Sequence, residues 1–163
     1  MGSDGPGRVL EAEDFARALS DDARLLGIDL GTKTLGLALS DVSRTIASGL
    51  TTLSRGKFSD DAPRLLALAE EHGVGGFVIG LPVNLNGTEG PRAQATRAFA
   101  RNLGRLTTLP MLLWDERLST AAAERALLEA DASRRRRATV IDKVAATLIL
   151  QGALDRLKRL DQA

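Results

Sequence analysis

The stretch Leu26-Gly27-Ile28-Asp29-Leu30-Gly31-Thr32-Lys33-Thr34-Leu35-Gly36 decides how this chain is read. An apolar strand runs into a single carboxylate, and glycines then carry the chain through a tight turn. A charge buried in such a strand costs on the order of several kcal/mol unless it is paired or bound to a metal. Asp29 therefore requires a partner. The residues offer two, Lys33 four positions on or a divalent cation, and both readings stand at this point.

Outward from this stretch, residues 25–30 and 35–40 predict two strands joined by the turn at 31–34, and 47–53 predicts a third. The short connections imply an antiparallel meander. A helix is expected over 60–71, closed by Gly73, with His72 beside it favouring the helix dipole. Phe77-Val78-Ile79-Gly80-Leu81 is a continuous apolar run, the mark of a strand covered on both faces, and Pro82 stops it. A loop with Asn84, Asn86 and Gly87 leads to a helix over 91–106. Residues 111–114 are another buried strand, with Trp114 as a core residue, ending in Asp115-Glu116-Arg117. A helix over 119–130, a basic loop at 134–137 and a last helix over 139–160 complete the order. The class is α/β: a mixed five-stranded sheet, built from the three-stranded antiparallel meander plus two βα units and flanked by helices. Right-handed crossovers set the later strands beside the first. Sites in such sheets form at the carboxyl ends of parallel strands, and Asp29 and Glu116 both fall there.

At 163 residues the chain suits one domain, over 23–163, preceded by an acidic, poorly ordered or loosely docked tail at 1–22 with a short, weakly helical stretch around 11–19. The absence of Cys excludes disulfides, a thiolate nucleophile and Cys-based zinc, and a lone His excludes a His-based metal site. Hydrolytic chemistry is left to carboxylates, Lys, Arg and Ser/Thr. No run approaches the roughly 18 apolar residues of a membrane span. The N-terminus does not read as a signal peptide, and Pro6 stands where a myristoylation signal needs Ser or Thr. The expected location is the cytoplasm, with no membrane partner. The net charge of +1 hides an asymmetry: residues 1–22 carry six acids against two arginines, whereas 92–143 carry eleven basic residues against six acids. A basic second half suits a polyanionic partner.

Three acids are candidates for one site: Asp29, Glu116 (or its neighbour Asp115) and Asp142. Phosphodiester cleavage by two metals needs several carboxylates around ions about 3.5–4 Å apart, and hard oxygen ligands suit Mg²⁺ or Mn²⁺. Strand alternation points Asp115 and Arg117 to one face and Glu116 to the other. Asp142 has a second reading, because Thr139-Val140-Ile141-Asp142 fits a helix capping box. Arg97, Arg101 and Arg105 share a helix face opposite Phe99 and Leu103, either as a solvated face or as a stripe that tracks phosphates. Arg134, Arg135, Arg136 and Arg137 repel one another, predicting an exposed loop that clamps a phosphate backbone.

With these residues in view, the chain over 25–157 resembles the YqgF family of ribonuclease H-like nucleases, described as Holliday junction resolvases or pre-16S rRNA nucleases. Four motifs carry the resemblance in order: Gly27-Ile28-Asp29-Leu30-Gly31-Thr32-Lys33, then Val78-Ile79-Gly80-Leu81-Pro82 with Asn86-Gly87-Thr88-Glu89, then Asp115-Glu116-Arg117-Leu118-Ser119-Thr120, and last Asp142-Lys143-Val144-Ala145-Ala146. The resemblance implies a ribonuclease H-like fold with Asp29, Glu116 and Asp142 as an acidic triad holding two Mg²⁺ or Mn²⁺ ions. It implies a metal-dependent endonuclease acting on structured RNA, in 5′-end processing of pre-16S rRNA, or on branched DNA, in junction resolution. Lys33 and Arg117 would then stabilise charge on the phosphate or position the acids. Arg97, Arg101 and Arg134–Arg137 would contact the substrate backbone. The chain is expected as a monomer or a homodimer, the latter if two coordinated cuts are made. Two rivals remain: a nucleic-acid-binding module without catalysis, and an ATP-clamping protein. Ile28-Asp29-Leu30-Gly31-Thr32-Lys33 is also similar to the first phosphate loop of sugar kinases and actin-like ATPases. Those proteins use two such domains, and this chain has room for one.

Overall fold

The computed structural model describes residues 7–118 and 134–162, with the helix backbone alone over 134–142. The meander is present as β1 (Arg24–Leu30), β2 (Thr34–Ser40) and β3 (Ala47–Ser54), followed by β4 (Val74–Leu81) and β5 (Met111–Asp115). These strands form one sheet in the order β3-β2-β1-β4-β5. β1 pairs antiparallel with β2 and parallel with β4, and β4 pairs parallel with β5. The helices are α1 (Ala12–Ala18), α2 (Phe58–Glu71), α3 (Pro91–Gly104) and α4 (Arg134–Asp161). Gly73 ends α2 with a φ of +68°, the left-handed conformation that a helix terminus asks of glycine. The helix expected over 119–130 lies outside the described residues.

The period of two along the strands sorts the core into two layers. Leu26 and Ile28 of β1, with Leu35, Leu37, Phe77 and Ile79, pack against α2 and α3 through Leu65, Phe99 and Leu103. Leu25, Ala38, Val78, Leu112 and Trp114 pack on the other face against Ala145, Ala146, Ile149 and Leu150 of α4. The α4 face is paved with small residues, so the helix lies close to the sheet. A Cβ added to Gly27 would stand 2.8 Å from Leu150 Cβ and 3.1 Å from the Ala146 carbonyl oxygen. Asp29, two residues beyond Gly27, falls on this same α4 face.

Three expectations change. The acidic segment is not a loose tail from Gly7 onward. Leu10 N–H donates to the Met111 carbonyl and Met111 N–H to the Arg8 carbonyl, so this segment extends the β5 edge. Phe15 of α1 is fully buried in the α4 layer. Arg44, whose φ is +55°, donates to the carbonyls of Ser20 and Ala23 and pins the far end of the segment. Next, Arg134–Arg137 open α4 instead of forming a loop. Arginine is a good helix former, and that propensity outweighs the mutual repulsion expected to keep these residues in a loop. Finally, because α4 begins at Arg134, Asp142 lies inside the helix and does not cap its first turn.

Candidate active site

Asp29 is the penultimate residue of β1 and is 1% exposed. Ile28 pairs with Ile79, so the next step of the parallel register sets Asp29 beside Gly80. On the other side of Gly80 stands β5, with Trp114 as its paired residue. β5 ends at Asp115, and a single 3-10 turn (Glu116–Leu118) follows. That turn swings Glu116 back over the sheet. It is 6% exposed, and its Oε2 stands 3.1 Å from where a Gly80 Cβ would be. The missing side chain of Gly80 therefore makes the space into which the Glu116 carboxylate fits, next to Asp29. In the sequence Gly80 reads as one position of an apolar run, and a glycine inside a strand is the signal there for a close approach.

Asp142 sits in α4 four residues before Ala146 and seven before Ile149, both fully buried over the sheet. Helical periodicity puts position 142 on that same stripe. Its side chain lies outside those described, and among the described residues no three acids or histidines converge on one point.

The basic candidates divide. Lys33 is exposed at the turn after β1. Arg117 grips Asp115 with Nε at 3.1 Å and Nη2 at 2.7 Å, and its backbone N–H donates to Asp115 Oδ1 at 2.9 Å. The Arg117 hydrogen bond holds the Asp115 carboxyl below its ordinary value, against an opposing effect of burial. Arg97 grips Glu89 in the same way, at 2.6 and 2.7 Å, and depresses its pKa. Both pairs line a cavity of about 290 Å³ with Leu81, Leu113 and Val9, on the α3 side of β5. They lie across the sheet from Asp29 and Glu116, as alternation along β5 requires. Arg101 is exposed on α3, which leads away from the strand ends. The side chains of Arg134–Arg137 are not among those described.

Two arginines that the sequence did not single out stand at the carboxyl end of β1. Arg92 Nη2 donates to the Leu30 carbonyl at 3.2 Å, and Arg55 Nη1 to the Gly31 carbonyl at 2.6 Å. No local motif marks them, because tertiary folding alone brings β3, α3 and β1 together.

Residues 23–156 match the family described as RuvX, Holliday junction resolvase. The chain is 61% identical over 151 residues to a protein of Rhodobacter capsulatus named "Putative pre-16S rRNA nuclease", covering 93% of this chain and 95% of the relative. A protein of the same name from Paracoccus denitrificans is 62% identical over 148 residues, covering 91% and 94%. The chain belongs to the RuvX family. This is the YqgF family that the four motifs implied. The RuvX chain is also similar in fold to Thermus thermophilus RuvC in complex with a Holliday junction substrate, with a TM-score of 0.52 at 12% identity, over 83% of this chain and 96% of that one. The yeast mitochondrial Holliday junction resolvase Ydc2 gives a TM-score of 0.52 at 13% identity, over 93% and 86%. At such identities these likenesses speak to fold, and the fold is the ribonuclease H-like one expected.

Proposed function

We propose that this RuvX-family chain is a metal-dependent endonuclease that trims pre-16S rRNA at its 5′ end. One observation carries the reading: two buried carboxylates stand beside Gly80, Asp29 near the end of β1 and Glu116 just after β5, and the glycine leaves room for Glu116. The names of the relatives support the substrate class.

The residues fit a hard divalent cation. Their donors are carboxylate oxygens with no soft ligand beside them, and the Glu116 carboxylate is seated over Gly80, with Oε2 3.1 Å from where a Cβ would stand. Asp29 and Glu116, together with Asp142, would hold Mg²⁺ or Mn²⁺, two ions being the arrangement that phosphodiester hydrolysis favours. When bound, the metal supplies activation of the attacking water and neutralises charge on the phosphate. The chain itself orients the acids: β1 and the 3-10 turn fix Asp29 and Glu116, and the apolar contacts of α4 with the sheet keep bulk water from their flanks. Lys33 at the exposed turn meets the phosphate, and Arg134–Arg137 contact the backbone independently of sequence. Among the described residues no helix is long and apolar enough to cross a membrane. The cytoplasm, where rRNA precursors are processed, is the proposed location.

The family description favours one second reading, resolution of four-way DNA junctions. The deciding experiment sets purified protein with Mn²⁺ against a 5′-extended ribosomal RNA precursor and a four-way DNA junction, side by side. The expected result is cleavage of the RNA precursor that Asp29→Asn abolishes. Cleavage of the junction alone transfers the function to resolution, and cleavage of neither overturns the nuclease reading.

A further inference from the structure

We propose that Arg55 and Arg92 form a phosphate-binding site on the rim of the candidate active site, gripping the nucleic-acid backbone beside the bond to be cut. The identity of that ligand rests on the nuclease reading. The site itself rests on where the two guanidinium groups are held.

Each arginine gives one donor to one of two consecutive carbonyls, those of Leu30 and Gly31, immediately after Asp29. They arrive from opposite directions. Arg55 follows β3, on the far side of β2, while Arg92 sits in the first turn of α3, beyond β4. A guanidinium carries five N–H donors, and a single carbonyl leaves most of them for another acceptor. Both side chains are exposed, and among the described residues neither forms an ion pair with a carboxylate. Arg97 and Arg117 are the contrast, since each has its fork filled by Glu89 or Asp115. The carbonyl anchors also fix the forks before a ligand arrives, which lowers the entropy lost on binding.

A second observation points to an anion at the same place. The N-terminus of a helix favours negative charge, yet the first turn of α3 holds no acid and carries Arg92. That placement opposes the helix dipole, and a bound phosphate would satisfy the helix end and the arginine together. Lys33, exposed on the intervening turn, adds a third positive group along the path.

The test is equilibrium binding of the full chain carrying Asp29→Asn to a labelled single-stranded RNA and to a labelled four-way DNA junction, over a series of KCl concentrations. Each lost phosphate contact lowers the slope of log K against log salt by about 0.7 on single strands and about 0.9 on duplex arms. The double variant Arg55→Gln/Arg92→Gln is expected to flatten the slope by roughly 1.4 on RNA or roughly 1.8 on the junction, whichever ligand occupies the site. Arg55→Lys/Arg92→Lys keeps the charges and is expected to keep the slope. An unchanged slope in the Gln variant overturns the proposal. So does a Lys variant that falls as far as the Gln variant, because the loss would then belong to the carbonyl anchors. Cleavage by the wild type is scored separately: a flattened slope without any cleavage leaves the phosphate site standing and removes the nuclease reading.

Discussion

Gly80 is the position at which packing and chemistry meet most closely. A methyl group there would stand 2.5 Å from Ile149 Cδ1 and 3.1 Å from Glu116 Oε2, so either α4 or the carboxylate has to move. Overpacking of this kind costs about 1–3 kcal/mol. Gly80→Ala is therefore expected to lower the urea midpoint modestly while cutting single-turnover cleavage by roughly a hundredfold, the scale of a catalytic group displaced by about an ångström. Full activity in the folded variant would show that Ile149 yields to the methyl group and Glu116 keeps its place. Glu116→Gln keeps the shape and removes the charge, and is expected to lose cleavage with its stability close to wild type. Asp29 and Glu116 were legible as a pair because strand ends and a period of two are written in the sequence. Arg55 and Arg92 were not, because their partners are backbone carbonyls, which every residue possesses.

The turn after β5 shows how a short element is held in shape by its own side chains. Asp115 accepts from both the backbone and the guanidinium of Arg117, closing the turn from which Glu116 projects to the other face. The Asp115 pKa is depressed on folding, so its contribution to stability is present above the ordinary aspartate value of 3.8 and is lost as pH falls through the lower folded value. Asp115→Asn is expected to be less stable than wild type at neutral pH, with the difference shrinking in acid. Urea midpoints measured across that range check it, and a gap that stays constant with pH would separate the carboxylate from the effect. Element types over the described residues were readable from periodicity, α1 included, but the helical start of α4 and the docking of the N-terminal segment were not. Four adjacent arginines suggested a loop, although each is individually compatible with a helix. The N-terminal segment looked like a tail because its acids dominate its composition. Leu10, Phe15 and Leu19, with Ala12 and Ala16, are the residues that pack. Phe15→Ala should therefore cost about 3–5 kcal/mol, as a buried aromatic does. An unchanged denaturation midpoint would return the segment to the status of a loose appendage.

The molecule as a whole divides its charge with a purpose that composition only hinted at. Part of the basic surplus over 92–143 is already spent internally, in the Arg97–Glu89 and Arg117–Asp115 pairs, and does not add to a binding surface. Apart from Arg101 and Arg105, which are exposed toward the far end of α3, the proposed contacts with a polyanion fall at the carboxyl ends of the strands and at the start of α4, where Arg134–Arg137 oppose the helix dipole as Arg92 does in α3. If these four serve the backbone of the substrate, replacing them all by Gln should weaken binding and flatten the salt dependence by as much as about 3.6 on duplex arms, with little change in helix content. If the two sets touch different phosphates, their contribution should also add to that of Arg55 and Arg92, because groups without shared partners contribute independently. The combined variant, titrated against the same junction and RNA, is thus expected to show a slope change equal to the sum of the two sets. A combined effect no larger than either alone would mean that both sets report on one contact, and the path of the strand from the start of α4 to the end of β1 would have to be redrawn.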